Sequence, residues 1–396
     1  MSRFDFVTAG ESHGPGLTAI VEGMPAGLEL DREGLDRDMA RRQLGHGRGG
    51  RMKIETDTVE IRSGVRHGRT LGSPIAVLVA NRDYANWEER MNPWPVSDEA
   101  MARVQEVHLP RPGHADLPGL LKYGHADIRN VLERASARET AARVAAGALA
   151  RQFLAALGVQ IFSHVTRVAS VTAPAPETLG PEDFGGVDES PVRCLDAAAE
   201  EAMVAEINRL RKENESLGGT FEVRAFGLVP GLGSHISWEE RLDGRIAQAM
   251  LSIQSIKGVS IGPAWEVAAS KGSDAHDEIF HSVESDAFGG FHRETNRAGG
   301  LEGGMTNGEP LIVQVAIKPI STLTKPLRSV DVHTKEPQAA HKERTDSTVV
   351  PAAGVVGEAM LALTLARAYR EKFGGDHMDD VKAAIAAYRA RIERDG

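Results

Sequence analysis

The chain has 396 residues, of which 41% are hydrophobic and 26% charged, and its formal net charge is -10. This composition suits a folded protein with a large core, and the acidic balance excludes a general nucleic-acid binder. Cys194 is the one cysteine, which excludes an intrachain disulfide, and we identify neither a signal peptide nor an apolar run long enough to cross a bilayer. We therefore expect a cytoplasmic protein.

Strand candidates are rich in branched residues and bounded by glycine or proline. A short strand precedes Gly10, and residues 52–62 are predicted to form a hairpin, with Ile54 on one arm and Val59 and Ile61 on the other. The other candidates are 18–21, 75–80, 159–171, 221–229 and 311–317. Because neighbouring strands are joined by short turns, the pattern predicts antiparallel sheets and an α+β fold.

Helix candidates are marked by capping patterns and apolar periodicity. Residues 136–139 (S-A-R-E) form a capping box before an alanine-rich helix that reaches Gly158, and residues 237–240 (S-W-E-E) open a helix through about Leu251. Further helices are predicted over 200–214, 351–373 and 379–394, the first of them charged and on the surface. Residues 174–198, rich in proline, glycine and acid, are predicted to be a surface excursion within one domain over residues 1–396.

Histidine and glycine occur together in the first part of the chain. Six of the 14 histidines fall within the first 125 residues, and five of the six adjoin a glycine: His13, His46, His67, His114 and His125. Glycine lets the backbone approach a ligand closely and adopt positive φ. Histidines on such loops are poorly placed for core packing, which makes them candidates for proton transfer.

Residues 10–14 (G-E-S-H-G) place a carboxylate, a hydroxyl and an imidazole in one turn after the first strand. His13 is a candidate for proton transfer, whereas the residue order does not match the G-x-S-x-G elbow of a serine nucleophile. On this motif alone, a polar turn with an exposed histidine is the preferred interpretation.

Residues 41–51 (R-R-Q-L-G-H-G-R-G-G-R) interleave four arginines with four glycines. Guanidinium groups bind phosphate and carboxylate in a bidentate fork, and glycines expose backbone N–H groups to the same anion. The loop therefore predicts binding of a small polyanion. An RGG-like RNA-binding segment and a solvated loop are the alternatives, but RGG segments normally repeat within basic chains.

Residues 111–116 (R-P-G-H-A-D) are echoed by residues 124–127 (G-H-A-D). The rigid loop favours His114 as a proton donor, and Asp127 is expected to orient a neighbour such as Arg129. A metal site built from the two H-A-D units is the minority alternative, because metal sites show no general preference for this repeat.

Ser136 is interpreted as an N-cap that leaves N–H groups free at the start of a long helix, between Arg134 and Arg138. Such a helix start is a potential anion site, and an ordinary cap with solvated arginines is the alternative. Later segments add backbone-rich or charged surfaces: 254–258, 298–305, 318–322 and 344–346. Together these motifs predict a large anionic ligand with many backbone contacts.

Eight strings, in order within roughly residues 7 to 366, resemble the chorismate synthase family. They are GESHG, RRQLGHGRGGRM, RPGHADLPGLLKYGHADIR, RASARETAAR, IQSIKGVSIG, AGGLEGGMTNGEP, KPIST and RTDSTVVPAAGVVGEAMLA. The resemblance implies an anti-1,4-elimination of phosphate from 5-enolpyruvylshikimate 3-phosphate to give chorismate, with reduced FMN and no net redox change. It also implies a place in the shikimate pathway of aromatic amino-acid biosynthesis.

The resemblance also implies an α+β fold in which antiparallel four-stranded sheets pack together and are covered by outer helices, a β-α-β sandwich, assembled as a homotetramer. No metal is implied. Some members of the family also reduce the flavin with NADPH. Because no dinucleotide-binding fingerprint follows the first strand, we expect an external reductant instead.

By resemblance, His13 protonates or stabilises the departing phosphate, His114 manages the protonation of the reduced flavin, and Asp346 relays the substrate proton through the flavin N5. The implied flavin-binding residues are Arg134, Ala135, Ser136, Gln254, Ser255, Gly303, Lys318, Pro319, Ile320, Ser321, Thr322 and Arg344. The implied substrate-binding residues are Ser12, Arg42, Arg48, Arg51 and Arg138. Ala135 replaces a serine that is usual in the family, a change that backbone contacts tolerate.

Overall fold

The computed structural model describes residues 4–48, 57–176, 178–282, 288–342 and 346–395. The strands are β1 (Asp5–Ala9), β2 (Gly16–Glu22), β3 (Glu60–Ile61), β4 (Val65–Arg66), β5 (Arg69–Thr70), β6 (Ile75–Ala80), β7 (Gln160–Val168), β8 (Val171–Thr172), β9 (Gly219–Phe226), β10 (Ile256–Ile261), β11 (Phe280–His281), β12 (Phe291–His292), β13 (Leu301–Glu302), β14 (Met305–Thr306), β15 (Leu311–Ile317), β16 (Arg328–Val330) and β17 (Pro337–Ala339). The helices are α1 (Arg32–Gln43), α2 (Asp98–Met101), α3 (Asp116–Tyr123), α4 (Arg129–Ala135), α5 (Thr140–Ala155), α6 (Ala197–Lys212), α7 (Leu242–Leu251), α8 (Ala264–Ala269), α9 (Gly272–Ala275), α10 (Val350–Phe373) and α11 (Met378–Asp395).

The first sheet has the antiparallel order β1-β2-β6-β3. Leu17, Ala19 and Val21 of β2 are buried and alternate with less buried residues, which is the period-two pattern of a strand with one face on the core. The strand predicted over 75–80 is confirmed as β6. Of the hairpin predicted over 52–62, Glu60 and Ile61 pair with β6, and the arm with Ile54 lies outside the described residues.

The second sheet has the order β10-β15-β9-β7-β8, also antiparallel. The strand predicted over 311–317 is confirmed, but the one predicted over 159–171 is interrupted where Ala169 adopts a φ of +48° and the chain reverses into β8. The sequence did not indicate β10, because Gly258 lies at a register shift that breaks its alternation.

Two helices fill the space between the sheets. Helix α5 packs on β2 and β6, whereas α10 packs on β7 and β9 and against α5 itself. At their contact, a Cβ on Gly147 would lie 2.4 Å from the Cβ of Ala359, so the absence of a side chain allows the close approach. The α+β class and the expected β-α-β sandwich are confirmed, with α5 and α10 between the sheets rather than outside them. These helices fill the middle layer because they are apolar on nearly all sides. The second sheet has five strands instead of the expected four.

Helix α10 has the length and apolar composition of a membrane span, contrary to the expectation that no segment reaches that length. It is buried along almost its whole course between the two sheets, as the core helix of a folded domain is. The length and apolar composition of α10 are therefore those of a core helix.

The predicted starts of two helices are wrong in detail. Ser136 ends α4 and caps a 3₁₀ turn by accepting a hydrogen bond from the Arg138 amide, so α5 begins only at Thr140. Glu139 does not complete a capping box because its carboxylate binds side chains instead. Likewise, Ser237 caps the 3₁₀ turn Trp238–Glu240, and α7 begins at Leu242.

Residues 174–198 contain both exposed and buried positions. Phe184 and Val187 pack with Phe226, and Arg193 forms ion pairs with Asp188 and Glu358 in the interior. Residues 174–198 are therefore attached to the rest of the protein through Phe184 and Val187 and through Arg193.

Candidate active site

His13 lies in the turn between β1 and β2. Gly10 opens the turn with a φ of +109°, and a Cβ there would lie 2.4 Å from the Gly16 carbonyl oxygen, so a side chain would not fit. The Glu133 carboxylate accepts a hydrogen bond from the His13 backbone N–H at 2.9 Å and lies 2.9 and 3.0 Å from His13 Nδ1. The Trp87 ring stacks on the imidazole with a centroid separation of 3.8 Å. His13 is thus largely enclosed rather than exposed.

The same turn is tied to α4 and to the end of β6. The Ser12 amide donates to the Glu133 carbonyl, and the Ser12 hydroxyl lies 3.1 Å from that of Ser136. The Asn81 side-chain amide donates to the carbonyls of Glu11 and Gly14 at 3.1 and 2.7 Å. These contacts join the predicted motifs around His13 and Ser136.

Arg42, Arg138 and Asp57 form a buried unit that we call the arginine cluster. Asp57 accepts from Arg42 Nη2 at 2.5 Å and from Arg138 Nη1 at 2.6 and 2.8 Å. Arg138 Nε also donates to Asn81 Oδ1 at 3.0 Å, which joins the cluster to the His13 turn. Asp57 therefore brings together Arg42 and Arg138, which come from segments distant in the sequence.

The charges of the arginine cluster act on one another strongly. Burial lowers the pKa of Arg42 to about 10, with Asp57 opposing this shift and the charges of Arg138 and Arg48 adding to it. Burial disfavours the charged form of Asp57, but Arg42 and Arg138 outweigh it and lower the pKa of this carboxyl. Arg42 Nε is buried with no hydrogen-bond partner among the described residues. Such an unpaired donor is suited to an anionic ligand.

Arg48 and Asp346 form an ion pair with an Nη1 to Oδ2 distance of 3.1 Å. Since Arg48 also acts on the charge of Arg42, this pair places Asp346 at the edge of the arginine cluster. Arg51 and Arg344, predicted to bind substrate and flavin, lie outside the described residues.

His114 belongs to a second, local arrangement. Its Nδ1 lies 2.5 Å from Asp116 Oδ1, and Arg111 Nε donates to Asp116 Oδ2 at 2.8 Å. Burial opposes the ionisation of Asp116, but the hydrogen bonds from His114 and Arg111 outweigh it and lower the pKa of the carboxyl. Within the H-A-D motif, Asp116 therefore holds the His114 ring in place.

The segment 318–322 is attached to the His114 loop. Lys318 Nζ and Ser321 Oγ donate to the Gly113 carbonyl at 3.1 and 3.0 Å, and Arg111 Nη1 reaches Thr322 Oγ1 at 3.4 Å. Burial, and secondarily the charge of Lys257, lowers the pKa of Lys318. Pro319 and Ile320 continue the same segment.

Gln254 and Ser255 connect the two parts of the site. Gln254 Nε2 donates to Glu139, which also pairs with Arg134, and the Ser255 carbonyl accepts from the Lys318 amide. Arg134 in turn donates to the Gly10 carbonyl at 3.2 Å. A continuous chain of contacts therefore runs from the His114 loop to the His13 turn.

An open pocket of about 370 Å³ lies along this chain of contacts. It is lined by Phe6, Val7, Thr8, Arg134, Glu139, Arg143, Ser252, Gln254 and Met360. The Gln254 Oε1 atom is buried without a hydrogen-bond partner among the described residues, and Ser255 holds a φ of +69°. An orphaned acceptor beside a cationic pocket is a feature of a ligand site.

Several predicted residues lie apart from these contacts. Gly303 is exposed in the turn between β13 and β14, beside His235. His67 occupies the exposed turn between β4 and β5, and His46 bonds to Asn208 of α6. The Asp127 carboxylate accepts a hydrogen bond from the Arg129 amide, just before α4 begins. The Ala135 backbone, between Arg134 and Ser136, ends α4.

Sequence analysis missed Glu133, Trp87, Asp57 and Asn81. The spacing of Arg129 and Glu133, four residues apart on a helix, was a detectable signal of an ion pair. No local pattern connects Glu133 with His13, which is 120 positions away. Within the ranges that the structure describes, no three His, Cys, Asp or Glu side chains are grouped so as to hold a metal ion.

Comparison with known proteins places this arrangement in a family. A sequence model described as chorismate synthase matches residues 4–369. The chain is 55% identical over 390 residues to a chorismate synthase of Rubrobacter xylanophilus, covering 98% of this chain and 97% of the relative. It is 52% identical over 389 residues to that of Thermus thermophilus, with 98% and 99% coverage. A crystal structure of chorismate synthase matches with a TM-score of 0.79 and 42% identity, covering 99% of both chains.

Proposed function

Because the chain belongs to the chorismate synthase family, and is therefore a carbon–oxygen lyase, we propose that it eliminates phosphate and a proton from 5-enolpyruvylshikimate 3-phosphate to give chorismate. In this anti-1,4-elimination the C–O bond to phosphate and a C–H bond break and a new C=C bond forms. The observation that supports it is a polar network that joins the His13 turn to the arginine cluster, with the Arg48–Asp346 pair at its edge. The product belongs to the shikimate pathway of aromatic amino-acid biosynthesis.

The arginine cluster and its neighbours bind the substrate in this proposal. Among the described residues, three guanidinium groups, those of Arg42, Arg48 and Arg138, face two carboxylates, so the network carries one positive charge in excess before the ligand arrives. This excess offsets part of the negative charge of a substrate with one phosphate and two carboxylates, and the substrate supplies acceptors for buried donors such as Arg42 Nε. Ser12 adds a neutral hydroxyl to the proposed substrate-binding residues. Arg51, which follows Arg48 in the same arginine-rich segment, is proposed as a further one.

Proton transfer falls to His13 and Asp346. A protonated imidazole delivers a proton to the phosphate as it leaves, because a phosphate monoester departs more easily when its charge is reduced. Asp346 is the acid–base group for the proton that the substrate loses. Its ion pair with Arg48 holds the carboxylate in place at the edge of the arginine cluster.

The residues along the pocket fit a reduced FMN. The unpaired acceptor Gln254 Oε1 suits a ligand with N–H groups, and Arg134 and Lys318 supply positive charge for its phosphate. When bound, reduced FMN supplies an electron-rich ring that lowers the barrier to loss of phosphate without net redox change. His114 is held by Asp116 beside the 318–322 segment, where it manages protonation at the flavin.

We further propose that the reduced flavin comes from an external reductant, that NADPH is not the direct donor, and that the enzyme is a cytoplasmic homotetramer. The tetramer follows from family membership. In keeping with it, large apolar side chains such as Trp238, Trp265 and Ile236 are exposed on the single chain.

The test is an anaerobic assay with 5-enolpyruvylshikimate 3-phosphate and photoreduced FMN, in which released phosphate and chorismate are measured. We expect both products in equal amounts with reduced FMN and neither with oxidised FMN. Equal turnover without flavin would refute the proposal, and ligand binding without phosphate release would identify a non-catalytic binding protein. Turnover with NADPH and FMN alone would refute the external reductant.

A further inference from the structure

We propose that Glu133 is a positioning residue that fixes the tautomer and orientation of His13, and that Trp87 fixes the plane of the same ring. The proton that passes between His13 and a ligand phosphate then moves through Nε2. This inference rests on the role of His13 in the proposed function. Neither Glu133 nor Trp87 belongs to the motifs from which that function was derived.

Glu133 holds both the backbone and the ring of His13. One carboxylate oxygen accepts from the His13 backbone N–H at 2.9 Å, and both oxygens lie within 3.0 Å of Nδ1. The carboxylate is 2% exposed, so solvent does not compete for these contacts. Three contacts from one buried group leave the imidazole little freedom to rotate about χ2 or to exchange its ring nitrogens.

Arg129 braces this arrangement from two sides. Its Nη1 donates to Glu133 Oε1 at 2.9 Å, one turn along α4. Its guanidinium group also lies 5.1 Å from the centroid of the Trp87 ring, which stacks on His13. Trp87 is fixed in turn by Nε1 donating to Asp83 at 3.1 Å. The carboxylate and the aromatic face are therefore held by one cation.

The chemistry of imidazole determines what this geometry does. A carboxylate accepts hydrogen bonds only, so the nitrogen facing it carries a hydrogen in both the neutral and the cationic ring. With Nδ1–H committed to Glu133, the second proton of the cation is on Nε2, the nitrogen on the opposite edge. A carboxylate that orients a histidine in this way acts on the rate through the histidine and not through the substrate.

The first experiment compares Glu133→Gln with Glu336→Gln, a control at an exposed glutamate in the turn before β17. We expect kcat for phosphate release to fall about 10–100-fold in Glu133→Gln with little change in KM, because the amide keeps the shape but loses the charge. The control variant should match the parent enzyme. An unchanged kcat in Glu133→Gln would overturn the proposal.

A double-mutant cycle separates positioning from a general structural role. In a His13→Ala background, Glu133→Gln should cause no further loss of kcat, because no imidazole remains to be oriented. A loss of the same factor in both backgrounds would show that Glu133 acts only through the fold.

The role of Trp87 is tested by two substitutions. Trp87→Phe should retain most activity and Trp87→Leu should lose about 2–10-fold, since only the first preserves an aromatic stack. Equal activities would remove Trp87 from the proposal.

A readout independent of turnover uses ¹⁵N-labelled histidine and long-range ¹H–¹⁵N NMR, with the His13 signals assigned by their absence in His13→Ala. We expect neutral His13 to carry its hydrogen on Nδ1. A hydrogen on Nε2 in the neutral ring would refute the positioning role whether or not the enzyme makes chorismate. Conversely, the Nδ1–H tautomer with no phosphate release would refute the proposed function and leave the positioning of the ring intact.

Discussion

Two histidines of this chain have the same kinds of partner but obtain them in different ways. In the His13 cluster (His13, Glu133 and Arg129) the histidine and its carboxylate are 120 positions apart. In the His114 cluster (His114, Asp116 and Arg111) all three residues lie within six positions. The first exists only when the β1–β2 turn and α4 are packed together, whereas the second requires little more than one loop.

The elements that hold the two clusters in place also differ: core helices hold the first, and surface segments hold the second. The His13 turn rests on α4, and the arginine cluster beside it rests on α1 and the start of α5, which belong to the core. The His114 loop is held by segments near the surface, since Ser321 donates to the Gly113 carbonyl and Ser329 to that of Pro110. We therefore expect the first cluster to be lost by global unfolding and the second by local opening.

The largest effect should come from the two histidines themselves. His13→Ala and His114→Ala should each lower the rate of phosphate release by about two to four orders of magnitude while FMN binding persists. Because no residue belongs to both clusters in the part of the chain that the structure describes, the logarithms of the two losses should add in the double variant. Stopped-flow assays with reduced FMN measure this. A double variant no slower than either single variant would show that the two clusters act as one unit.

Replacing Glu358, the buried carboxylate of the core, should lower the free energy of unfolding much more than replacing Asp116 of the His114 loop. Glu358 lies on α10 and accepts from Arg41 Nη1 at 2.7 Å, Arg193 Nη2 at 3.0 Å and Ser163 Oγ at 2.7 Å. Glu358→Ala leaves buried cations unpaired and should cost about 3–5 kcal/mol in the free energy of unfolding by guanidinium. Asp116→Ala should cost about 1 kcal/mol or less, because its loop can open to water. Equal costs would contradict the distinction.

The pH dependence of the free energy of unfolding should also distinguish Glu358 from Asp116, with an effect of intermediate size. Burial opposes the ionisation of Glu358, but Arg41, Arg151 and Arg193 outweigh it and lower its pKa to about 2 from an ordinary 4.5. A carboxyl whose pKa is lowered by folding stabilises the fold above its unfolded pKa and loses that contribution as pH falls toward the folded one.

We therefore expect the stability advantage of the parent enzyme over Glu358→Gln to shrink by about 2 kcal/mol between pH 5 and pH 3. Urea unfolding at a series of pH values measures it. The pKa of Asp116 is also lowered, but local opening of its loop limits what this carboxyl can contribute, so Asp116→Asn should change the global pH dependence by only about 1 kcal/mol or less. A constant difference between the parent and Glu358→Gln would show that folding does not lower the pKa of Glu358.

The smallest effect concerns one hydroxyl. Ser321→Ala removes a hydrogen bond to the Gly113 carbonyl, worth about 1 kcal/mol, and should speed hydrogen exchange of the Arg111 and His114 amides about fivefold in flavin-free protein. Ser170→Ala, which removes an exposed hydroxyl bonded to Glu206, is the control. Exchange in the His13 turn should not change in either variant. Acceleration there would mean that the two clusters open together.

The sequence predicted what depends on neighbours along the chain. The strands over 75–80 and 311–317 and the R-P-G-H-A-D loop follow from local patterns, and the structure shows each of them. The pairing of Glu133 with His13 left no local trace, because it depends on the docking of α4 onto a distant turn. Ser136 shows the opposite failure: its S-A-R-E pattern was local, but the Glu139 carboxylate binds Thr8, Arg143 and Gln254 instead of completing the box.

The contact between Gly147 and Ala359 has a consequence for the spacing of the reactive groups. Arg138 stands just before α5, and Asp346 stands just before α10, so these side chains are carried by the two helices that touch at this glycine. The separation of these two side chains therefore depends on how closely the axes of α5 and α10 approach each other. A side chain at position 147 would push the helices apart and with them the segments that carry Arg138 and Asp346.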